Sequence, residues 1–226
     1  TRSVEDLVPK NATVVISINS LESFKSAIDN NVLFSKTDVF KPLKKALVPL
    51  DSLKSLSPLL VCINKEAESK VFTFITHQRN LTLTHTLSIP HITLDSILVA
   101  STSEAVLESL KMQRTSEYSK LSKLKHTTNT FSIYCKTFPE LKSVPLLNSQ
   151  SLYFSFNVSP ESIAINGTVL DQKSENKWFK LFDSLEPQTQ SLQTIIPSES
   201  TLINSFNYTD FEQLTRNIDS SGFASK

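Results

Sequence analysis

The chain has 226 residues, 39% hydrophobic and 20% charged, with 23 basic against 22 acidic side chains and a net charge of +1. This length can bury a sizeable core as one large domain or two small ones. The balanced charge leaves no footprint for nucleic acid. The longest unbroken apolar run, LLVCI at 59–63, is far too short to span a bilayer.

Glycine is scarce. Only Gly167 and Gly222 are present, where average usage of about 7% predicts roughly 16. Turns must therefore use Asn, Asp and Ser, whose side chains bond the backbone locally. The glycine-rich phosphate loops and the GxSxG nucleophile elbow each need two glycines within a few residues, so those chemistries are excluded.

In chain order, a proline-led opening, LVPKNA, precedes a strand in which Val14, Ile16 and Ile18 share one face. Residues 35–56 read as one or two amphipathic helices broken near Pro42 and Pro49. Residues 58–64 and 71–77 form a predicted hairpin around KEAESK, and LTLTHTL at 81–87 alternates as a further strand. SILVA is a strand leading to a helix. Residues 115–125 are helical, with Tyr118, Leu121 and Leu124 on one side and Lys120, Lys123 and Lys125 on the other. FSIYC points Phe131, Ile133 and Cys135 inward. SLYFSFNVS at 151–159 buries Leu152, Phe154, Phe156 and Val158, and turns through Ser159-Pro160-Glu161 into SIAINGTVL at 162–170. Trp178, Leu181, Phe182 and Leu185 have helical spacing, with Ser174 as N-cap.

Four places repeat a finer pattern: a strand, then Asn, Ser or Thr, then Glu three residues on. The pairs are Asn19/Glu22, Ser101/Glu104, Thr137/Glu140 and Thr209/Glu212. This spacing predicts a capping box at each helix start, with Pro139 in a first turn that tolerates it. The expected fold is α+β, mainly antiparallel sheet with strand-capped-helix units packed on one face.

Few residues point to chemistry. Cys62 and Cys135 read as buried thiols, with a disulfide as the alternative. His77 and His85 make a two-histidine metal candidate with no supporting ligand, whereas His91 and His126 read as loop residues. No catalytic, metal or cofactor residue is assigned, and the protein is expected not to be an enzyme. Two basic stretches, Lys36, Lys41, Lys44, Lys45 and Lys54, then Lys111, Arg114, Lys120, Lys123 and Lys125, read as solvated helix faces, with anionic lipid as the functional alternative. Sequons occur at Asn11, Asn80, Asn157, Asn166 and Asn207.

Three stretches in this order, LVPKNATVVISINSLESF, SILVASTSEAVLESLK and FSIYCKTFPELKS, followed by the paired strands LYFSFNVSPESIAINGTVL, resemble a poorly characterised family of bacterial envelope proteins of the Bacteroidota type. The resemblance covers roughly residues 8–185. It implies export to the periplasm or outer-membrane surface and a lipoprotein ectodomain. The implied role is non-catalytic: protein interaction or assembly scaffolding with a partner in the envelope. It implies no active-site residues, and membrane attachment only through a lipid anchor outside this sequence. A lipid or hydrophobic-ligand module and a hydrolase with an unmarked site are the alternatives.

The opening recurs near the end. Ile196-Pro197 corresponds to Val8-Pro9, strand 200–207 to 12–18, and the helix after Thr209 to the one after Asn19. The expected organisation is an α+β domain over 8–190, then over 191–226 either the start of a second similar repeat or the closing strand-helix of the same domain.

Overall fold

A computed structural model describes residues 2–51, 58–66, 69–77, 87–119, 128–136, 151–170 and 208–221, with residues 181, 186, 197, 199 and 200. The chain divides into two compact units, residues 1–139 with 149–170, and residues 140–148 with 171–226.

The first unit is an eight-stranded antiparallel sheet. Its strands are β1 (Val14–Ile18), β2 (Leu59–Glu66), β3 (Ser69–His77), β4 (His91–Leu94), β5 (Ile97–Ser101), β6 (Phe131–Cys135), β7 (Ser151–Val158) and β8 (Ile163–Leu170). They lie in the order β4-β5-β3-β2-β1-β6-β7-β8. Helices α1 (Leu21–Asn30), α2 (Lys41–Leu47) and α3 (Glu104–Met112) join them. The α+β class and antiparallel sheet expected from sequence are what the chain adopts. Both predicted hairpins form, β2 with β3 and β7 with β8.

The expectation that helices pack on one face is corrected. Val15, Leu60, Cys62, Ile75 and Val99 pack with Val106, Leu107 and Leu110 of α3 and with the N-terminal segment. The alternate residues Ile16, Ile18, Val61, Phe74, Leu98 and Phe131 pack with α1 and α2. The inner strands are therefore apolar on both sides, and all five residues of β5 are buried.

Glycine is replaced where a turn demands it. Asp95 and Ser96, at φ 50° and 67°, form the two-residue turn between β4 and β5, the left-handed geometry that a tight hairpin favours. Gly167 faces Phe154 across β7 and β8, and a Cβ there would stand 3.0 Å from two ring carbons. Its absence lets the ring lie over the strand.

The expected capping boxes are corrected: α1 and the helix after Asp210 start at single side-chain caps on other residues, and α3 has no side-chain cap hydrogen bond among the described residues. The Ser20 hydroxyl, not Asn19, accepts from the Ser23 amide at the start of α1 (3.3 Å). The Asn19 amide instead donates to the Asn129 carbonyl at 2.8 Å, tying the end of β1 to the approach to β6. Ser101 is the last residue of β5, and Ser103 holds the N-cap position of α3. In the second unit, α4 (Phe211–Ser221) starts after Asp210, whose carboxylate accepts from the Gln213 amide at 3.0 Å, so Asp210 rather than Thr209 caps it. Thr137, the 81–86 strand, the Trp178 helix and strand 201–207 lie outside the described residues.

Asn31, unmarked in the sequence reading, joins α1 to the far hairpin. It is fully buried. Its oxygen accepts from the Leu33 and Phe34 amides, both at 3.0 Å. Its amide donates to the carbonyls of Ser159 at 2.6 Å and Ser162 at 3.2 Å.

Candidate functional site

Among the described residues, the strand order leaves β4 and β8 at the two edges, and an edge's unpaired backbone donors and acceptors invite another strand. The edges differ. β4 has four residues, HITL, follows Pro90, and ends in the Asp95-Ser96 turn, where Asp95 meets Arg2 at 3.4 Å. β8 has eight residues and, among the described residues, pairs only with β7. Residues 164–168 of β8 are all exposed, and Ile165 is 55% exposed. The stretch SIAINGTVL contains neither charge nor proline, the two devices that usually protect an edge. Backbone-directed pairing with an extended segment is the chemistry such an edge offers.

The face under α3 carries a second feature, a set of buried polar groups. Asn64, Thr73 and Ser101 are 1%, 0% and 0% exposed. Thr73 and Ser101 share a hydroxyl hydrogen bond at 3.0 Å. Both polar atoms of the Asn64 carboxamide are buried without a partner among the described residues. Farther along this face, the Tyr153 hydroxyl and the Asn129 amide both donate to Ser132 Oγ. Val15 and Leu60, with Glu5, Ser17, Ser132, Tyr134 and Tyr153, line a small and mainly apolar cavity of about 20 Å³, about the room of one water molecule.

Two open grooves flank α3. One, about 460 Å³, is lined by Lys10, Asn11, Glu66, Ser109 and Gln113 among others. The second, about 490 Å³, holds His91, Glu104, Glu108 and Ser88. His91 Nδ1 lies 3.1 Å from the Ile89 carbonyl, and among the described residues no hydrogen bond joins it to the serine or the glutamates. His77 ends β3, whereas His85 and His126 lie outside the described residues.

The cysteines are free and buried, and the sheet register rules out their pairing. Cys62 opposes Val15 and Cys135 opposes Val14, so the thiols project to opposite faces. They sit two strands apart, about 10 Å, beyond the roughly 7 Å Cα separation a disulfide spans. Burial pushes the Cys135 thiol up to about 12 and raises Cys62 further, so neither is a nucleophile at neutral pH. Burial, then the neighbouring Tyr134, also raises the Tyr118 hydroxyl, which donates to the Ala12 carbonyl.

Asn11, Asn157 and Asn166 are exposed. Asn80 and Asn207 lie outside the described residues. The first basic stretch surrounds α2, and Lys44 pairs with Asp29. No family model, curated protein or solved structure matches this chain. The β8 edge was legible in the sequence as an uncharged alternating strand, but its edge position follows only from the strand order. Asn64 carries no sequence signal beyond its place in an apolar run.

Proposed function

We propose that this chain is a non-catalytic, exported protein of the bacterial envelope, a lipoprotein ectodomain that binds protein partners along β8. The observation that carries this reading is β8, an eight-residue uncharged strand exposed over residues 164–168, in contrast to the β4 edge at the opposite end of the sheet, which is short and closed by a turn. Main-chain pairing supplies affinity, and alternate side chains such as Ile165 supply selectivity. The envelope setting rests on the order of strand and cap motifs between residues 8 and 185.

A photo-crosslinking residue at Thr168, compared with one at Thr93 in β4, tests the site in the native host. Protein adducts should form from position 168, be absent from position 93, and vanish when Ile165→Lys places a charge on the edge. Equal adducts from both positions, or adducts indifferent to Ile165→Lys, would contradict the reading.

A further inference from the structure

Eight large apolar side chains are exposed among the described residues, and four of them, Val32, Leu33, Val39 and Val48, fall within residues 32–48. Scattered exposed apolar residues are ordinary, but a concentration of them is not. The same segment has a well-formed inner side. The Phe34 and Phe40 rings meet edge-on at 4.8 Å, and Phe40 packs on Phe131 at 5.8 Å. Leu43, Leu47 and Leu50 are buried. Leu33 and Val39, adjacent in sequence to those rings, nevertheless stand 51% and 72% exposed.

The charge is equally concentrated. Residues 32–48 contain Lys36, Lys41, Lys44 and Lys45 against Asp38, a net +3 (four positive minus one negative), whereas the whole chain carries +1. Lys44 pairs with Asp29, outside this stretch, and Lys41 approaches Asp38 only to 3.9 Å. Lys36 and Lys45 are exposed and make no ion pair among the described residues.

We propose that this surface docks peripherally on an anionic lipid bilayer, with the valines and Leu33 entering the headgroup boundary and the lysines facing lipid phosphates. Protein interfaces favour Trp, Tyr and Arg and disfavour Lys. Residues 32–48 contain no Trp, Tyr or Arg. Exposed aliphatic side chains interspersed with lysine suit a charged membrane surface, because lysine stems lie along apolar surface while their ammonium groups reach the phosphates. The surface is independent of β8, so either reading stands if the other fails.

The test is flotation of the full chain with phosphatidylcholine vesicles containing phosphatidylglycerol, and with phosphatidylcholine alone. Three double variants are compared: Lys36→Glu with Lys45→Glu, Leu33→Asp with Val39→Asp, and a control, Lys65→Glu with Lys70→Glu, at the far end of the β2–β3 hairpin. All six side chains are exposed, and an unchanged unfolding midpoint checks that each variant folds. The wild type should bind the anionic vesicles and not the neutral ones. At about fivefold per lysine, the first double variant should lose roughly 25-fold or more in partitioning. The aspartate pair should abolish binding, and the control should retain it. Absence of binding to anionic vesicles overturns the proposal. So does a control that loses as much as the Lys36/Lys45 variant, which would reduce the effect to net charge. Undiminished binding by the aspartate pair does the same, because Leu33 and Val39 would then not enter the bilayer.

Discussion

The two faces of the sheet are built from alternate residues of the same strands, yet they bury different chemistry. Under α1 and α2, phenylalanines dominate: Phe131 stacks on Phe156 at 4.5 Å and meets Phe24 edge-on at 5.2 Å. Under α3 the large rings are Tyr118, Tyr134 and Tyr153, accompanied by buried Glu5, Asn64, Thr73, Ser101 and Ser132. The first face resembles a hydrocarbon core, in which the loss of a ring leaves a void. The second exchanges some apolar burial for hydrogen bonds whose net worth is small but whose loss is costly. Stability should therefore respond to volume on one face and to polar satisfaction on the other.

The largest effect is expected on the dry face. Phe131→Ala removes a fully buried ring touching Phe24, Phe40 and Phe156, and should cost about 3–5 kcal/mol in urea unfolding. A cost under about 1 kcal/mol would mean that the rings do not form one packed core. Asn31→Ala, where α1 meets the β7–β8 turn, deletes four hydrogen bonds from a buried side chain, and should cost about 2–4 kcal/mol. Amide exchange in residues 159–162 should rise in the same variant.

The thiols report on both faces at once. Cys135 has its thiol raised to about 12 from an ordinary 9.0. The unfolded chain loses that proton first, so its contribution is full below about pH 9 and is lost as pH rises toward 12, at up to about 1.4 kcal/mol per pH unit. The urea midpoint should thus fall between pH 8 and pH 10.5, and fall less in Cys135→Ala. The smallest effect is expected at Asn64. Because its carboxamide is buried and has no partner among the described residues, Asn64→Leu should leave stability within about 1 kcal/mol of wild type or raise it. A loss above about 2 kcal/mol would show that the amide is hydrogen-bonded.

Much of this architecture was legible in the sequence. Period-two alternation located β1, β7 and β8, and the turn residues placed both hairpins, because those signals are local. The caps slipped by one or two residues because the choice depends on distant groups: Asn129 takes the Asn19 amide, leaving Ser20 to cap α1. Asn31 was invisible for the same reason, since Ser159 lies 128 residues away. The division of helices between faces was missed, because the one-face expectation weighed the alternating strands and not the apolar run of β5. The unbroken run of apolar residues in β5 already reads as a strand covered on both sides. The β8 edge needed the strand order itself, which periodicity does not contain.

Amide hydrogen exchange of the purified chain decides whether β8 offers a free edge to another polypeptide. In an antiparallel pair, alternate residues direct their amides to the neighbouring strand. If β8 is an open edge, its amides between Ala164 and Thr168 should alternate, every second one exchanging as in unstructured peptide. All the amides of the interior strand β6 should stay protected. Uniform protection along β8, equal to that of β6, would show that the edge is already covered within the chain and would contradict the account.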